Sequence, residues 1–149
     1  MNPSRPLRIL LAVVLCLVVA GTAVAATSAP KPGKYTGRTA QTNPKTGKKY
    51  PVRFKIANGT ISAVHAWTRD KCPDGTFLRV EQNAFKPGTL DAKGRFTLVA
   101  GTTQQPAVMK GKVSGSKASG TITDRTNDPA TPSSGVCKAS TTWTAKHVK

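Results

Sequence analysis

Two histidines, His65 and His147, are the only imidazoles in this chain of 149 residues. His65 lies two residues before Trp67 on an alternating segment, a position typical of a strand histidine packed against a sheet. His147 lies close to the C-terminus, where order is not expected. The nucleophile, histidine and acid of a catalytic triad are brought together by the fold and need not be close in sequence. A small extracellular hydrolase that uses His65 with a nearby Asp therefore stays open, although the chain has no Gly-x-Ser-x-Gly motif.

Six Asp and Glu residues supply all the side-chain carboxylates of the chain. Asp70 and Asp74 flank Cys72, and Asp124 and Asp128 lie four positions apart. Each pair could form a calcium site or belong to a turn. Calcium takes about six to eight oxygen ligands and usually several carboxylates, so turn formation is favoured for both pairs. Two histidines and two cysteines that are expected to be oxidised also argue against a zinc site. We therefore predict no metal and no cofactor.

Positive charge is the strongest signal in the composition. The chain has 23 Lys and Arg against six Asp and Glu, a formal net charge of +17. Such a field attracts polyanions, among them anionic cell-wall polymers, lipid headgroups, acidic glycans and nucleic acid. The alternative is that scattered lysines keep the protein soluble and blunt sheet edges. Candidates for a polyanion site combine a lysine cluster on a predicted loop with outward strand residues: Lys45, Lys48, Lys49, Arg53, Lys55, Lys110 and Lys112.

Further cations fall on outward positions of predicted strands. Arg79 and Lys117 lie opposite the stronger apolar positions of their segments. If neighbouring strands align these residues, they form a basic sheet face that binds phosphate or sulfate chains. Exposed aromatic residues for base stacking are not evident from the sequence, which favours a plain polyanion over nucleic acid.

Residues 1–26 have the pattern of a secretory signal peptide. Two arginines precede an apolar run, and small residues at positions 23–25 offer a cleavage site. We expect cleavage after Ala25 or Ala26, with no membrane span afterwards and a secreted or envelope-associated protein. An uncleaved anchor is the alternative, because the uncharged span reaches 18 residues, the lower edge for a spanning helix.

Cys72 and Cys137 are the two cysteines that follow the leader. An even pair in an exported chain is most simply a disulfide. The loop that it closes has about 66 residues, and the chain-entropy model assigns such a bridge roughly 4 kcal/mol of stability. Two free thiols would need a reducing compartment, and the leader argues against one.

The best-specified element is a hairpin over residues 50–67, YPVRFKIANGTISAVHAW. Its first strand alternates apolar and basic residues (VRFKI), the period-2 pattern of a half-buried strand. Asn58-Gly59 predicts a type I′ turn, because both central residues of that turn need positive φ. On the return strand, the alternation predicts a shared face for Ile61, Ala63, His65 and Trp67.

The rest of the chain predicts an all-β fold. No window of 11 or more residues after the leader shows helical periodicity, and Gly and Pro recur throughout. We expect an antiparallel β-sandwich or small barrel of about seven to nine short strands with one disulfide. Residues 27–33 are predicted to be a flexible linker, residues 34–149 a single β domain, and residues 69–75 and 127–135 loops. The predicted core is modest and depends on the disulfide; its aromatic members are Phe54, Phe77, Phe85, Phe96, Trp67 and Trp143.

Glycine-turn and strand patterns spread over most of the mature chain: Gly33-Lys-Tyr-Thr-Gly-Arg-Thr, Val52-x-Phe-x-Ile with Asn-Gly-x-Ile, Gly111-Lys-Val-x-Gly-x-x-x-x-Gly-Thr-Ile, and Cys137-x-Ala-x-x-x-Trp143-x-Ala. In this order they resemble small secreted all-β proteins of unknown function from high-GC Gram-positive bacteria. The resemblance implies export and an all-β fold. It transfers no activity and no site residues.

The function predicted first is that of an exported, non-enzymatic β domain that binds anionic cell-envelope polymers through a basic face. This function requires the basic residues to cluster. The hydrolase alternative requires a concave pocket that holds His65, a carboxylate and a hydroxyl within hydrogen-bond reach. A passive envelope protein, whose charge serves solvation alone, requires neither the cluster nor the pocket.

Overall fold

A computed structural model describes residues 28–127 and 135–149. This part of the chain contains nine strands and no helix: β1 (Gly33–Thr42), β2 (Lys49–Ala57), β3 (Thr60–Lys71), β4 (Phe77–Gln82), β5 (Gly88–Thr89), β6 (Arg95–Gly101), β7 (Pro106–Ser114), β8 (Lys117–Asn127) and β9 (Val136–Val148). The prediction of an all-β fold is confirmed. The predicted leader and residues 128–134 of the predicted loop lie outside the described residues. Within the described ranges, no helix is long and apolar enough to span a membrane.

The strands form one antiparallel sheet in the order β4-β3-β2-β1-β9-β8-β7-β6, and β5 pairs with β3. The sheet curls until β3 reaches β9, where Lys71 pairs with Lys138. Strands β3, β2, β1 and β9 thereby close a small four-stranded barrel, and the other strands extend it. Of the two predicted architectures, the chain therefore adopts the barrel.

The predicted Cys72–Cys137 disulfide is present, and it lies where the barrel closes. Cys72 directly follows β3, and Cys137 is the second residue of β9. Both cysteines are buried. The bridge therefore ties together the two strand ends whose pairing completes the barrel.

The predicted hairpin forms between β2 and β3. Val52, Phe54 and Ile56 are buried, and the basic residues between them are exposed. Asn58 and Gly59 have φ values of 50° and 70°, as a type I′ turn requires. The turn and the first strand are therefore confirmed.

A β-bulge at Ala63 interrupts the alternation of β3. Lys55 pairs with Ser62, whereas Arg53 pairs with His65, so β3 contains one residue more than β2 between the two pairs. Ala63 takes up the extra residue with a φ of 49°. A single inserted residue moves all the following side chains to the other face of a strand.

The bulge makes the predicted shared face of β3 wrong. Ile61 faces the core, but His65 and Trp67 face outward. Phe77, predicted to belong to the core, is half exposed on β4. The strand β3 also continues to Lys71, which is three residues into the predicted loop over residues 69–75; residues 72–75 do not belong to a strand.

Trp143 occupies the centre of the core. Phe54 and Phe96 contact its ring, with centroids 5.8 and 6.0 Å away. Gly111 and Gly120 pair across β7 and β8, and Gly120 also pairs with Trp143. A Cβ atom at Gly111 would lie 2.5 Å from the Trp143 ring. Gly111 therefore leaves the space that the indole fills, whereas Gly120 allows the close approach of the β7 backbone.

The segment before β1, for which we predicted a flexible linker, hydrogen-bonds to the barrel from Ser28 onward. The Lys31 amide donates to Gly115 O, and the Gly115 amide donates to Ser28 O, both at 2.9 Å. The ring of His147 makes a 2.9 Å hydrogen bond with Pro32 O. His147 belongs to β9, so the expectation of disorder at this residue was wrong.

Candidate anion-binding site

A groove of about 740 Å³ crosses the outer face of the sheet from β7 to the start of β2. Five cations line it, one from each of five strands: Arg38 of β1, Lys49 of β2, Lys112 of β7, Lys117 of β8 and Lys146 of β9. Four hydroxyl side chains line it as well: Thr36, Ser114, Ser119 and Thr144. We call this surface the basic groove.

The strand register brings these cations together. Lys117 lies directly opposite Lys146 on the neighbouring strand. Like charges in that position destabilise a sheet. Arg38 lies opposite Thr144 of β9, so it adds a third cation one strand farther along. The groove therefore concentrates positive charge over neighbouring strands.

No carboxylate of the described residues lines the basic groove. Asp70 and Asp124 are buried inside the barrel. The other three described carboxylates belong to a turn or to surfaces outside the groove: Asp74, Glu81 and Asp91. The charge of the five cations is therefore not compensated by an acidic neighbour in the groove wall.

Four of the seven predicted polyanion-binding residues lie on this side of the molecule. Lys49 and Lys112 line the basic groove. Lys48 and Arg53 line a second depression of about 450 Å³, which shares Arg38 and Lys49 with the groove. The two concave surfaces therefore form one continuous basic track.

The other three predicted residues are elsewhere. Lys110 lines a different depression together with Asp91 and Arg95, where the Asp91 carboxylate accepts a 2.7 Å hydrogen bond from Arg95 Nε. Lys45 lies in the turn between β1 and β2, and Lys55 lies on the outer face of β2; neither lines the basic groove.

Two groove cations, Arg38 and Lys146, were missed from the sequence. Both occupy exposed positions that alternate with buried ones on their strands. The apolar anchors Tyr35 and Trp143 define this alternation, so an outward position was predictable for each. Their proximity was not predictable, because β1 and β9 are far apart in sequence and pair only in the closed barrel.

His65 lies in an outer depression lined by Pro51, Arg53, Trp67 and Glu81, which shares Pro51 and Arg53 with the second depression. Its Nδ1 atom is 3.5 Å from Glu81 Oε1, and both side chains are exposed. The carboxylate is a glutamate rather than the expected Asp, and no hydroxyl or thiol side chain of the described residues lines this depression. The arrangement that the hydrolase alternative requires is not assembled around His65 in this part of the chain.

The structure brings together two carboxylates that belong to different pairs in the sequence. Asp70 points into the barrel from β3, away from the turn that contains Asp74, and it lies near Asp124 of β8. The Asp124 carboxylate accepts hydrogen bonds from Gln82 Nε2 and, at 3.2 Å, from Thr126 Oγ1. The barrel therefore encloses a pair of carboxyl groups that sequence reasoning assigned to separate loops.

Asp70 is fully buried beside Thr68 and Asp124, and neither of its carboxyl oxygens makes a well-aligned hydrogen bond. Burial, together with the negative charge of Asp124, raises the pKa of Asp70 to about 7. Because both residues are inaccessible, the pair cannot contact a substrate in this conformation. Over the described ranges, no group of three or more His, Cys, Asp and Glu residues is placed to hold a metal ion.

Comparisons of the chain with protein-family models, with curated proteins and with solved structures found no match. Function is therefore argued from the geometry and charge of the described residues.

Proposed function

We propose that this protein is an exported, non-enzymatic β domain that binds anionic polymers of the cell envelope through the basic groove. The observation that supports this most directly is the convergence of five cations from five strands in a groove without a described carboxylate. A field of this kind attracts polyanions and raises their rate of association.

The shape of the surface favours a polymer over a single small anion. The basic groove continues through Arg38 and Lys49 into the depression that contains Lys48 and Arg53. A chain of phosphates or carboxylates contacts successive cations along such a track and releases its condensed counterions as it binds. The hydroxyl side chains between the cations supply hydrogen bonds to the same ligand.

The placement of the cations also argues against charge that serves solubility alone. Lys117 and Lys146 are directly opposite each other. Without a bound anion, this arrangement lowers the stability of the sheet. An anion between them removes that cost. A protein that needed positive charge only for solubility would gain nothing from placing it in this register.

The test is binding of the purified protein to immobilised poly(glycerol phosphate), heparin, duplex DNA and anionic lipid vesicles over a series of salt concentrations. We expect preferential binding to the envelope-type polymer that weakens steeply with salt. The triple variant Arg38→Ala/Lys117→Ala/Lys146→Ala should bind weakly. Loss of three contacts should flatten the slope of log affinity against log salt by about two, at roughly 0.7 per contact.

A matched control removes the same number of charges from the exposed residues Lys55, Lys86 and Lys93, which do not line the groove. It should keep most of the affinity. Equal weak binding to all four polyanions, or equal losses in the two triple variants, would show that the charge is generic and that the groove is not a site.

A further inference from the structure

A second cationic surface lies on the outer face of β3 and β4, separate from the basic groove. Trp67 and Arg69 of β3 alternate there with Phe77 and Arg79 of β4. The Arg79 guanidinium lies 4.0 Å from the centroid of the Trp67 ring, and the Arg69 guanidinium lies 3.6 Å from the centroid of Phe77. We call these four residues the aromatic–arginine ladder.

The register of the ladder places two positive charges together. Arg69 lies directly opposite Arg79, and like charges in this position destabilise a sheet. Each guanidinium rests on an aromatic ring, and no described carboxylate makes an ion pair with either arginine. Glu81, opposite Trp67, instead faces His65. An anion that bridged the two arginines would remove their repulsion.

The cations continue beyond the ladder at its Phe77 end. Phe77 lies opposite Lys71, Lys71 opposite Lys138, and Lys138 opposite Arg125. This row runs from β4 through β3 and β9 to β8, and its three basic side chains are exposed. A phosphate chain that leaves the ladder would therefore meet further positive charge.

The ladder is partly accessible, because Phe77 and Arg79 are exposed and Trp67 and Arg69 are half-buried. Phe77 is 50% exposed, one of the few large apolar side chains at the surface of the described structure. β4 is the last strand at its end of the sheet, so a ligand that lies over β3 and β4 is open to solvent on one side. Phe77 lies opposite Lys71, which is four residues after Trp67 on β3. Trp67 and Phe77 are therefore about 13 Å apart along the strand direction, at the rise of a β-strand.

We propose that the aromatic–arginine ladder binds single-stranded nucleic acid. Bases stack on the aromatic rings and on the guanidinium planes, while the phosphates between them take hydrogen bonds from Arg69 and Arg79. The planar guanidinium groups match phosphate geometry and are already stacked on the rings. A polymer of phosphates without rings leaves both aromatic faces unused, and a duplex keeps its bases inside the stack.

This ligand class was disfavoured from the sequence, because no exposed aromatic residue was evident. The bulge at Ala63 reverses that conclusion. It turns Trp67 outward, next to Arg79 on the neighbouring strand. The ladder shares no residue with the basic groove, although Trp67 and Arg53 line one depression. Variants of the groove cations and of the ladder residues therefore test the two proposals separately.

The test measures binding of the purified protein to a fluorescent oligo(dT), to a duplex of equal charge, to polyphosphate and to heparin. Trp67 and Trp143 are the two tryptophans of the chain, and Trp143 is buried. Quenching of tryptophan fluorescence by oligo(dT) therefore reports on Trp67. We expect tight binding with quenching for the single strand. The duplex and polyphosphate should bind without quenching, because their contacts are with cations such as those of the basic groove.

Two variants isolate the stacking. Phe77→Ala and Trp67→Ala should each lower oligo(dT) affinity by about five- to 150-fold, the range for loss of one base–aromatic stack, and leave polyphosphate binding unchanged. Val99→Ala removes another exposed apolar residue, on β6, and serves as the matched control. Arg69→Lys/Arg79→Lys keeps the charge and should also weaken the single strand selectively. Thermal denaturation confirms that each variant is folded.

Three results would overturn the proposal. Phe77→Ala and Trp67→Ala could bind oligo(dT) as tightly as Val99→Ala. The losses could be the same for heparin, which would make an acidic glycan the ligand. Oligo(dT) binding could also depend only on the groove cations Arg38, Lys117 and Lys146. Failure of the envelope-polymer proposal looks different, because it appears in the groove variant and leaves the ladder variants selective.

Discussion

Asp70 is a carboxylic acid at a position where its ionised form is poorly solvated. Its side chain is fully buried, and neither oxygen makes a well-aligned hydrogen bond. Burial and the charge of Asp124 raise its pKa from 3.8 to about 7. Between these two pH values, the folded protein holds a proton that the unfolded chain has already released. The stability of the fold should therefore fall as pH rises from about 4 to 7 and stay low above that range.

Asp70→Asn should remove this dependence, because an amide does not ionise. A pKa difference of about three units corresponds to roughly 4 kcal/mol, which sets the upper limit of the gain. We expect the variant to be more stable than the natural chain at pH 8 and to have no such advantage at pH 4. Urea unfolding at pH 4, 6 and 8 measures the free energy directly.

Asp91→Asn is the contrasting control. Hydrogen bonds from the Arg95 backbone and side chain lower the pKa of Asp91, so its contribution is lost on acidification rather than on alkalisation. A pH profile that Asp70→Asn leaves unchanged would contradict the assigned role of Asp70.

At the scale of the strands, the closure between β3 and β9 depends on a short contact. Lys71–Lys138 is the described backbone pair between these strands, and both residues are cationic. The Cys72–Cys137 disulfide lies beside that pair and holds the strand ends together. The bridge thus stabilises a junction that has a short backbone pairing and that the two like charges weaken.

Cys72→Ser/Cys137→Ser should lose about 4 kcal/mol of unfolding free energy, the chain-entropy value for a loop of this length. We expect hydrogen exchange to rise first at the ends of β3 and β9, while the β1–β2 and β8–β9 pairs stay protected. Denaturant unfolding and exchange mass spectrometry measure the two effects. Exchange that rises evenly over the whole sheet would contradict a local role at the closure.

Charge is divided unevenly over the whole molecule. Cations line the basic groove and flank the aromatic–arginine ladder, whereas Asp70 and Asp124 lie inside the barrel. Repulsion within the groove is a stability cost, and under the proposed function a bound polyanion would offset it. Groove cations should therefore lower stability and raise affinity at the same time.

Lys146→Gln tests this coupling, because Lys146 lies directly opposite Lys117. At low salt, the substitution should raise unfolding free energy by about 0.5 kcal/mol, and molar salt should abolish the gain by screening. Binding of the envelope-type polymer should weaken in the same variant. Lys86→Gln, at an exposed loop position, should change neither property; a Lys146→Gln variant that is less stable at low salt would contradict the idea.

Local patterns in the sequence were sufficient for the strands and the hairpin. The alternation of Val52, Phe54 and Ile56 and the Asn58-Gly59 turn depend on residues within a few positions of each other, where side-chain period and φ preference act directly. The disulfide followed from counting, because only two cysteines lie outside the predicted leader.

The sequence by itself therefore determined an all-β chain with a defined first hairpin and one covalent cross-link. The tertiary structure alone decided that the sheet closes into a barrel, that Ala63 forms a bulge, that Asp70 lies near Asp124, and which cations share a groove. Each of these features depends on contacts between strands that are far apart in sequence, or on one inserted residue that reverses every later side chain. Local propensity carries no information about such contacts, because their free energy arises only when the distant strands pack together.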